Sequence, residues 1–171
     1  MNQGLPSALA AIANDAREKL KTMPFIVPML EGTHSEPNRA YSIGLVNFAH
    51  PEIVIVGLPD HEVARQLITN AGTLVINGVY DFREPCLASD IAEGYDVAFR
   101  PVAKGSMGGG FGLGRAVLNH EFPVVQLFLP DVDGYYPWQR KVDRKFGKMQ
   151  TFFKHEGPLP MTRLERKAMS S

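Results

Sequence analysis

The sequence predicts a single α+β domain, in which a mixed or largely antiparallel sheet carries helices packed mainly on one side. The length of 171 residues fits one domain. Hydrophobic residues make up 44% of the chain and charged residues 21%, which is typical of a globular protein and excludes a fibre or a wholly disordered chain. Segments with helical and strand periods follow one another without a regular βαβα alternation, and this order favours α+β over α/β.

The N-terminal half is predicted to contain two helices around a hairpin. Ser7 and Asp60 are candidate N-caps, because each precedes apolar residues at helical spacing. The first predicted strand alternates large and small residues, and the second is a continuous apolar run of the kind that is buried on both faces. We expect these two strands to pair, with His50 at the mouth of the hairpin. The predicted elements are helices over 7–21 and 60–74 and strands over 39–46 and 53–58.

The C-terminal half is predicted to contain two more strands and two shorter helices. Residues 81–92 have no clean period and stay unassigned. Residues 157–171 carry few groups to bury, so we expect a basic, flexible tail after a domain over 1–156. The predicted elements are strands over 95–102 and 123–129, a glycine-rich loop over 104–112 and helices over 113–120 and 142–153.

The charges are balanced overall but unevenly distributed. The chain has 18 basic and 18 acidic residues, whereas residues 139–171 alone hold nine basic and three acidic ones, a net charge of +6. This basic end is expected to contact the acidic remainder, a second copy of the chain or an external polyanion, and nucleic acid is expected only there. The single cysteine, Cys86, excludes an internal disulfide. Without a signal-peptide or membrane-spanning pattern, we expect a soluble cytoplasmic protein with no membrane partner.

Three polar residues beside predicted strands are the candidates for catalysis. His50 and Glu52 lie two apart on an extended segment, so they share a face and suit a general acid/base pair. Asp131 follows another predicted strand and could orient the histidine or hold a metal with it. The alternative is local and structural, with His50 capping the turn and Glu52 pairing with an arginine. No complete metal site is predicted, and no GxSxG, HExxH or CxxC pattern occurs.

Two polar residues interrupt apolar strands and are candidates for ligand binding. Gln126 must find hydrogen-bond partners in the backbone, a turn or a ligand, because an unpaired buried amide costs about 1–3 kcal/mol. Arg100 either pairs with Glu52 or Asp131, or holds an anion. Trp138 lies in an aromatic turn beyond the last strand, which suits either a packed turn or the wall of a site for a flat polar ligand.

The glycine-rich segment over 105–114 has three open interpretations. It follows a predicted strand and precedes a predicted helix, so it could cradle a phosphate at the helix N-terminus. It could also close over a ligand as a lid, or be an ordinary surface loop. Its spacing matches neither the dinucleotide-binding nor the P-loop pattern.

Four sequence segments, taken in their order along the chain, resemble the motifs of a known family. The segments Ala40–Leu45, His50–Pro59, Val97–Val102 and Phe122–Trp138 resemble, in order, the bacterial domain-of-unknown-function family 4262, and the resemblance covers about residues 24–153. It implies no activity. It implies that certain residues recur together, and it adds Tyr41 to the ligand-binding candidates. These residues are Tyr41, Gly44, His50, Glu52, Arg100, Gln126, Asp131 and Trp138.

The leading hypothesis is a module that binds or sequesters a small polar ligand, nucleotide-like in character, in a pocket at one end of the sheet. The alternatives are a hydrolase that uses His50 with Glu52 or Asp131, and an interaction protein that works through its basic C-terminus. The sequence does not decide between enzyme and binding protein, and it indicates no particular cofactor. Self-association is compatible with each hypothesis, because the acidic body and the basic end are complementary.

Overall fold

One six-stranded mixed sheet forms the centre of the protein in the computed structural model, which describes residues 7–170. The strand order across the sheet is β1-β2-β3-β6-β5-β4. The strands are β1 Met29–Leu30, β2 Arg39–Tyr41, β3 Glu52–Val56, β4 Cys86–Ala92, β5 Tyr95–Pro101 and β6 Val124–Phe128. The helices are α1 Ser7–Leu20, α2 His61–Ile76, α3 Gly112–Leu118, α4 Arg144–Gln150 and α5 Arg163–Met169.

The two central strands, β3 and β6, are parallel, and every other neighbouring pair is antiparallel. Both central strands are buried along their whole length, as their continuous apolar runs predict. The predicted pairing of β2 with β3 is confirmed. The α+β class and the mixed sheet are therefore confirmed.

Helices cover both faces of the sheet, which differs from the expected packing mainly on one side. Ile53 and Ile55 of β3 pack against α2, in a core that also contains Leu67 and Ile68. Val54 and Val56 face the opposite core, which includes residues of α1 and α3. The physical reason is visible in β3 itself, because a strand that is apolar on both faces needs a layer on each.

Most predicted elements are present with shifted ends. Asp60 caps α2 by accepting a hydrogen bond from the backbone N–H of Val63, as predicted. The strand predicted over 39–46 is shorter, because the chain turns after Tyr41 into a 3-10 helix over Leu45–Phe48. Gly44 makes this turn possible with a φ of 127°, and a Cβ there would lie 2.6 Å from the carbonyl oxygen of Pro24.

The segment after residue 156 contains the short helix α5. Thr162 and Glu165 form a capping box at its start, in which each side chain bonds the other's backbone N–H. Leu159, Pro160 and Met161 line a cleft beside Trp138 together with residues of α5. The division into a domain and a flexible tail stays a prediction. Among the helices of residues 7–170, none combines the length and apolarity needed to cross a membrane.

Candidate functional site

The sequence-predicted site residues do not gather at one point. Arg100 contacts both Gln126 and Trp138. Glu52 and His50 both stabilise the turn before β3, and Asp131 and Tyr41 stabilise two other parts of the fold.

Glu52 organises the turn between β2 and β3. Its carboxylate accepts hydrogen bonds from the backbone N–H groups of Gly44 at 2.8 Å, Val46 at 3.2 Å and Leu45 at 3.3 Å, and from the hydroxyl of Ser42. The side chain is fully buried. Burial raises the pKa of Glu52, against the opposing effect of these four donors. Glu52 therefore holds the turn, and no ion pair joins it to an arginine in the part of the chain that the structure describes.

His50 ties this turn to the segment before β4. The backbone N–H of Phe82 donates to Nε2 at 3.0 Å, which places the ring proton on Nδ1, 2.7 Å from the carbonyl oxygen of Pro51. Both ring nitrogens are therefore engaged. Burial lowers the pKa of His50, although Asp81 at 3.8 Å opposes this effect, and the neutral form is favoured.

Asp131 closes the loop that follows β6. Its carboxylate accepts backbone hydrogen bonds from Asp143 at 2.8 Å, Tyr135 at 2.9 Å and Asp133 at 3.0 Å. Partial burial alone would raise the pKa of Asp131, but these bonds outweigh it and lower the pKa. Main-chain groups thus occupy the side chains of all three catalytic candidates. Glu52 and His50 both stabilise the turn before β3, whereas Asp131 lies in the loop after β6.

Tyr41 anchors the start of α3. Its hydroxyl accepts a hydrogen bond from the backbone N–H of Gly114 at 2.9 Å, and its ring packs edge-on against Phe111. Burial raises the pKa of Tyr41 to about 12, so the phenol stays protonated. Its position is that of a core residue between β2 and α3.

Arg100 and Gln126 are direct cross-strand neighbours on β5 and β6. The guanidinium carbon of Arg100 lies 5.6 Å from the centre of the Trp138 ring, a cation–π contact. Gln126 is fully buried, and its Nε2 donates to the carbonyl oxygen of Gln150 at 2.7 Å. The ion pair considered for Arg100 with Glu52 or Asp131 is absent, because both carboxylates are held elsewhere.

His155 completes this cluster, and sequence reasoning missed it. Its Nε2 donates to Oε1 of Gln126 at 2.7 Å, and its segment bridges to Val102 at the end of β5. Burial, followed by the charge of Arg100, lowers the pKa of His155 to about 4. The partner lies 29 positions away in sequence, so the only available signal was the unmet hydrogen-bonding need of Gln126.

A large cavity lies elsewhere, at the end of the sheet where β3 and β6 begin and β5 ends. This sheet-end cavity has a volume of about 1280 Å³. Of the predicted site residues, only His50 lines it. Its apolar lining includes Pro101, Val102, Met107, Phe122, Pro123 and Val124, and its charged or titratable lining includes Arg83, Lys104, Arg115, His120, Glu121 and Glu156.

The basic side chains that line the sheet-end cavity differ in whether they form ion pairs. Arg83 pairs with Asp81 at 3.2 Å, and Arg115 pairs with Glu121 at 2.7 Å. Lys104 is exposed, and its ammonium group forms no ion pair with any described residue. Lys104 is therefore the cation of this cavity that is available to a ligand.

The glycine-rich segment forms one wall of the cavity and is held in place. Gly108–Phe111 is a 3-10 helix that runs directly into α3. Arg115 donates from Nη1 to the carbonyl oxygen of Gly108 at 3.1 Å, and Ser106 Oγ accepts from the backbone N–H of Lys154 at 2.7 Å. A Cβ on Gly110 would collide with the guanidinium of Arg39. Close packing accounts for at least this glycine.

Within residues 7–170, no group of three or more histidine, cysteine, aspartate or glutamate side chains is arranged to hold a metal ion. Cys86 is half-buried, and burial raises its thiol pKa to about 11, which keeps it protonated.

Comparison with known proteins agrees with the ordered motifs. No curated protein and no solved structure matches the chain significantly. A family model, described as a domain of unknown function (DUF4262), matches residues 22–143, which span β1 to β6 and the loop closed by Asp131. The chain therefore belongs to the DUF4262 family.

Proposed function

We propose that the protein binds a small ligand in the sheet-end cavity, and that the ligand combines a flat, partly apolar body with an anionic group. A nucleotide-like molecule has this combination. The observation that carries the proposal is the cavity itself, which is about 1280 Å³ in volume and joins an apolar floor to a charged rim.

The floor and the rim suit different parts of such a ligand. Pro101, Val102 and Phe122 offer apolar surface for a ring system. Lys104 lines the cavity and forms no ion pair with any described residue, so it can contact an anionic group without first breaking a salt bridge. Arg83 and Arg115 are already paired with Asp81 and Glu121, so Lys104 is the group of the lining that favours an anion over a cation.

Binding is better supported than hydrolysis. A general base needs a nitrogen or oxygen free to take a proton, whereas both nitrogens of His50 are already engaged. Glu52 and Asp131 accept bonds from the main chain at two other places. Action through the basic C-terminus stays a separate prediction.

A thermal-shift screen of nucleotides and phosphorylated metabolites tests the proposal. A ligand at 100 times its Kd adds about 2.7 kcal/mol of stability, which raises the Tm of a chain of this size by about 5–10 °C. A positive ligand should lose at least tenfold in affinity in Lys104→Glu, because the variant reverses the charge of a cavity residue that forms no ion pair with any described residue.

Lys145→Glu is the matched control, since Lys145 is exposed on α4 and does not line the cavity. Equal losses in the two variants would indicate a general charge effect and contradict the proposed site. Absence of a shift with every compound at millimolar concentration would contradict ligand binding itself.

A further inference from the structure

Arg100 presents an unusual case of a partly enclosed charge. Its Nε is enclosed and has no hydrogen-bond partner among the described residues. The side chain as a whole is half-buried, so solvent still reaches part of it. The ion pairs of the described residues do not include Arg100. Its contact with Trp138, at 5.6 Å, is to the ring and supplies no hydrogen-bond acceptor.

This arrangement leaves a guanidinium without a counter-charge. Burial lowers the pKa of Arg100, and no carboxylate acts against that effect. A charge removed from water is costly unless an opposite charge or hydrogen-bond acceptors replace the water. Among the described residues, no ion pair includes Arg100, and no acceptor meets its Nε.

The neighbours of Arg100 are polar and aromatic side chains that an acceptor group bound to the guanidinium would meet. Gln126 stands directly across from it on β6 and holds His155 through a 2.7 Å hydrogen bond. Because His155 donates from Nε2, its Nδ1 is left to take up a proton. Trp138 provides a flat apolar surface on the same face, and Arg100, Gln126, His155 and Trp138 form what we term the Arg100 cluster.

We propose that the Arg100 cluster binds a small oxyanion, a carboxylate or a phosphate group, which the guanidinium holds beside Trp138 and His155. The planar fork of arginine matches the oxygens of such groups and forms two parallel hydrogen bonds with them. This site is separate from the sheet-end cavity, because neither Arg100 nor Trp138 lines that cavity.

The position of Trp138 gives a direct measurement, since it is the only tryptophan of the chain. Sodium acetate and sodium phosphate are titrated separately at constant ionic strength, with sodium chloride as the balancing salt. We expect a saturable change in tryptophan fluorescence with at least one of the two oxyanions. Saturation by acetate identifies a carboxylate site, and saturation by phosphate identifies a phosphate site.

Two substitutions of Arg100 distinguish specific binding of the oxyanion from a general effect of ionic screening. Arg100→Met should abolish the saturable change, and Arg100→Lys should weaken it at least fivefold, because the ammonium keeps the charge without the planar fork. Arg65→Gln is the matched control, since Arg65 is exposed on α2 and paired with Glu62. A linear response that is the same in all four proteins would overturn the proposal.

The pKa of His155 provides a second measurement. It would not respond to an oxyanion if Arg100 had only a structural role. A bound oxyanion offsets the charge of Arg100, so the NMR titration of His155 should move upward from its value of about 4 when the oxyanion is added. The shift should be absent in Arg100→Met. An unchanged titration of the wild-type protein at a saturating oxyanion concentration would also overturn the proposal. Lys104→Glu should leave both measurements unchanged, so this inference and the cavity proposal can fail independently.

Discussion

Glu52 and Arg100 are both charged residues on strands of the same sheet, but they differ in burial and in hydrogen-bond partners. Glu52 is fully buried and accepts four hydrogen bonds from the turn that it organises. Arg100 is half-buried, and its Nε has no partner among the described residues. A satisfied buried charge belongs to the architecture of the fold, whereas an unsatisfied one indicates a place where something outside the fold can bind.

The largest effect is expected at Glu52. Glu52→Ala leaves three backbone N–H groups and the Ser42 hydroxyl without their acceptor, so we expect a loss of at least about 3 kcal/mol in the free energy of unfolding. Urea denaturation measures it. Glu62→Ala, at an exposed position on α2, is the control and should change stability by less than about 1 kcal/mol. Equal losses of stability in Glu52→Ala and Glu62→Ala would contradict the structural role assigned to Glu52.

A smaller loss is expected at His50. His50→Ala leaves the backbone N–H of Phe82 without an acceptor, which should cost about 1–3 kcal/mol in the free energy of unfolding. His120→Ala, at an exposed residue, should have little effect. If His50→Ala were as stable as the wild type, the structural role assigned to His50 would be wrong and the catalytic hypothesis would regain weight.

The pH dependence of stability tests whether the pKa of His155 in the Arg100 cluster is lowered. The pKa of His155 is about 4 in the folded protein against 6.5 for the free side chain, so the unfolded state binds the proton more tightly. The stability associated with neutral His155 is therefore complete above pH 6.5 and is lost as the pH falls toward 4.

His155→Gln should reduce this slope, measured as the free energy of unfolding between pH 4 and 6.5. His50 contributes a slope of the same sign to both proteins, because its pKa is also lowered. Identical slopes in the two proteins would show that His155 titrates normally.

The smallest effect on stability is expected at Arg100 itself. Arg100→Met loses a cation–π contact but also removes a guanidinium whose Nε has no hydrogen-bond partner among the described residues. We expect the free energy of unfolding in chloride buffer to change by less than about 1 kcal/mol in either direction. A loss comparable to that of Glu52→Ala would show that Arg100 is as structural as Glu52.

The order of these effects cannot be predicted from residue type alone. Both Glu52 and Arg100 stand beside apolar residues in the sequence, and this pattern is compatible with an ion pair between them. The turn from Ser42 to Val46 instead supplies local donors to Glu52. Sequence reasoning identified the residues that needed partners, and it could not identify the partners.

The amino-acid sequence by itself determined the α+β class, most strands and helices and the family, because these depend on local periodicity and ordered motifs. It did not indicate β4, which lies in the unassigned segment 81–92, or α5, which lies in the predicted tail. It also marked Gln126 and Arg100 as polar interruptions of strands. Only the tertiary structure decided that helices cover both faces, that His155 meets Gln126 across 29 positions and that His50 meets Phe82 across 32. Such contacts depend on how segments that are distant in sequence pack together, and local sequence patterns do not predict this packing.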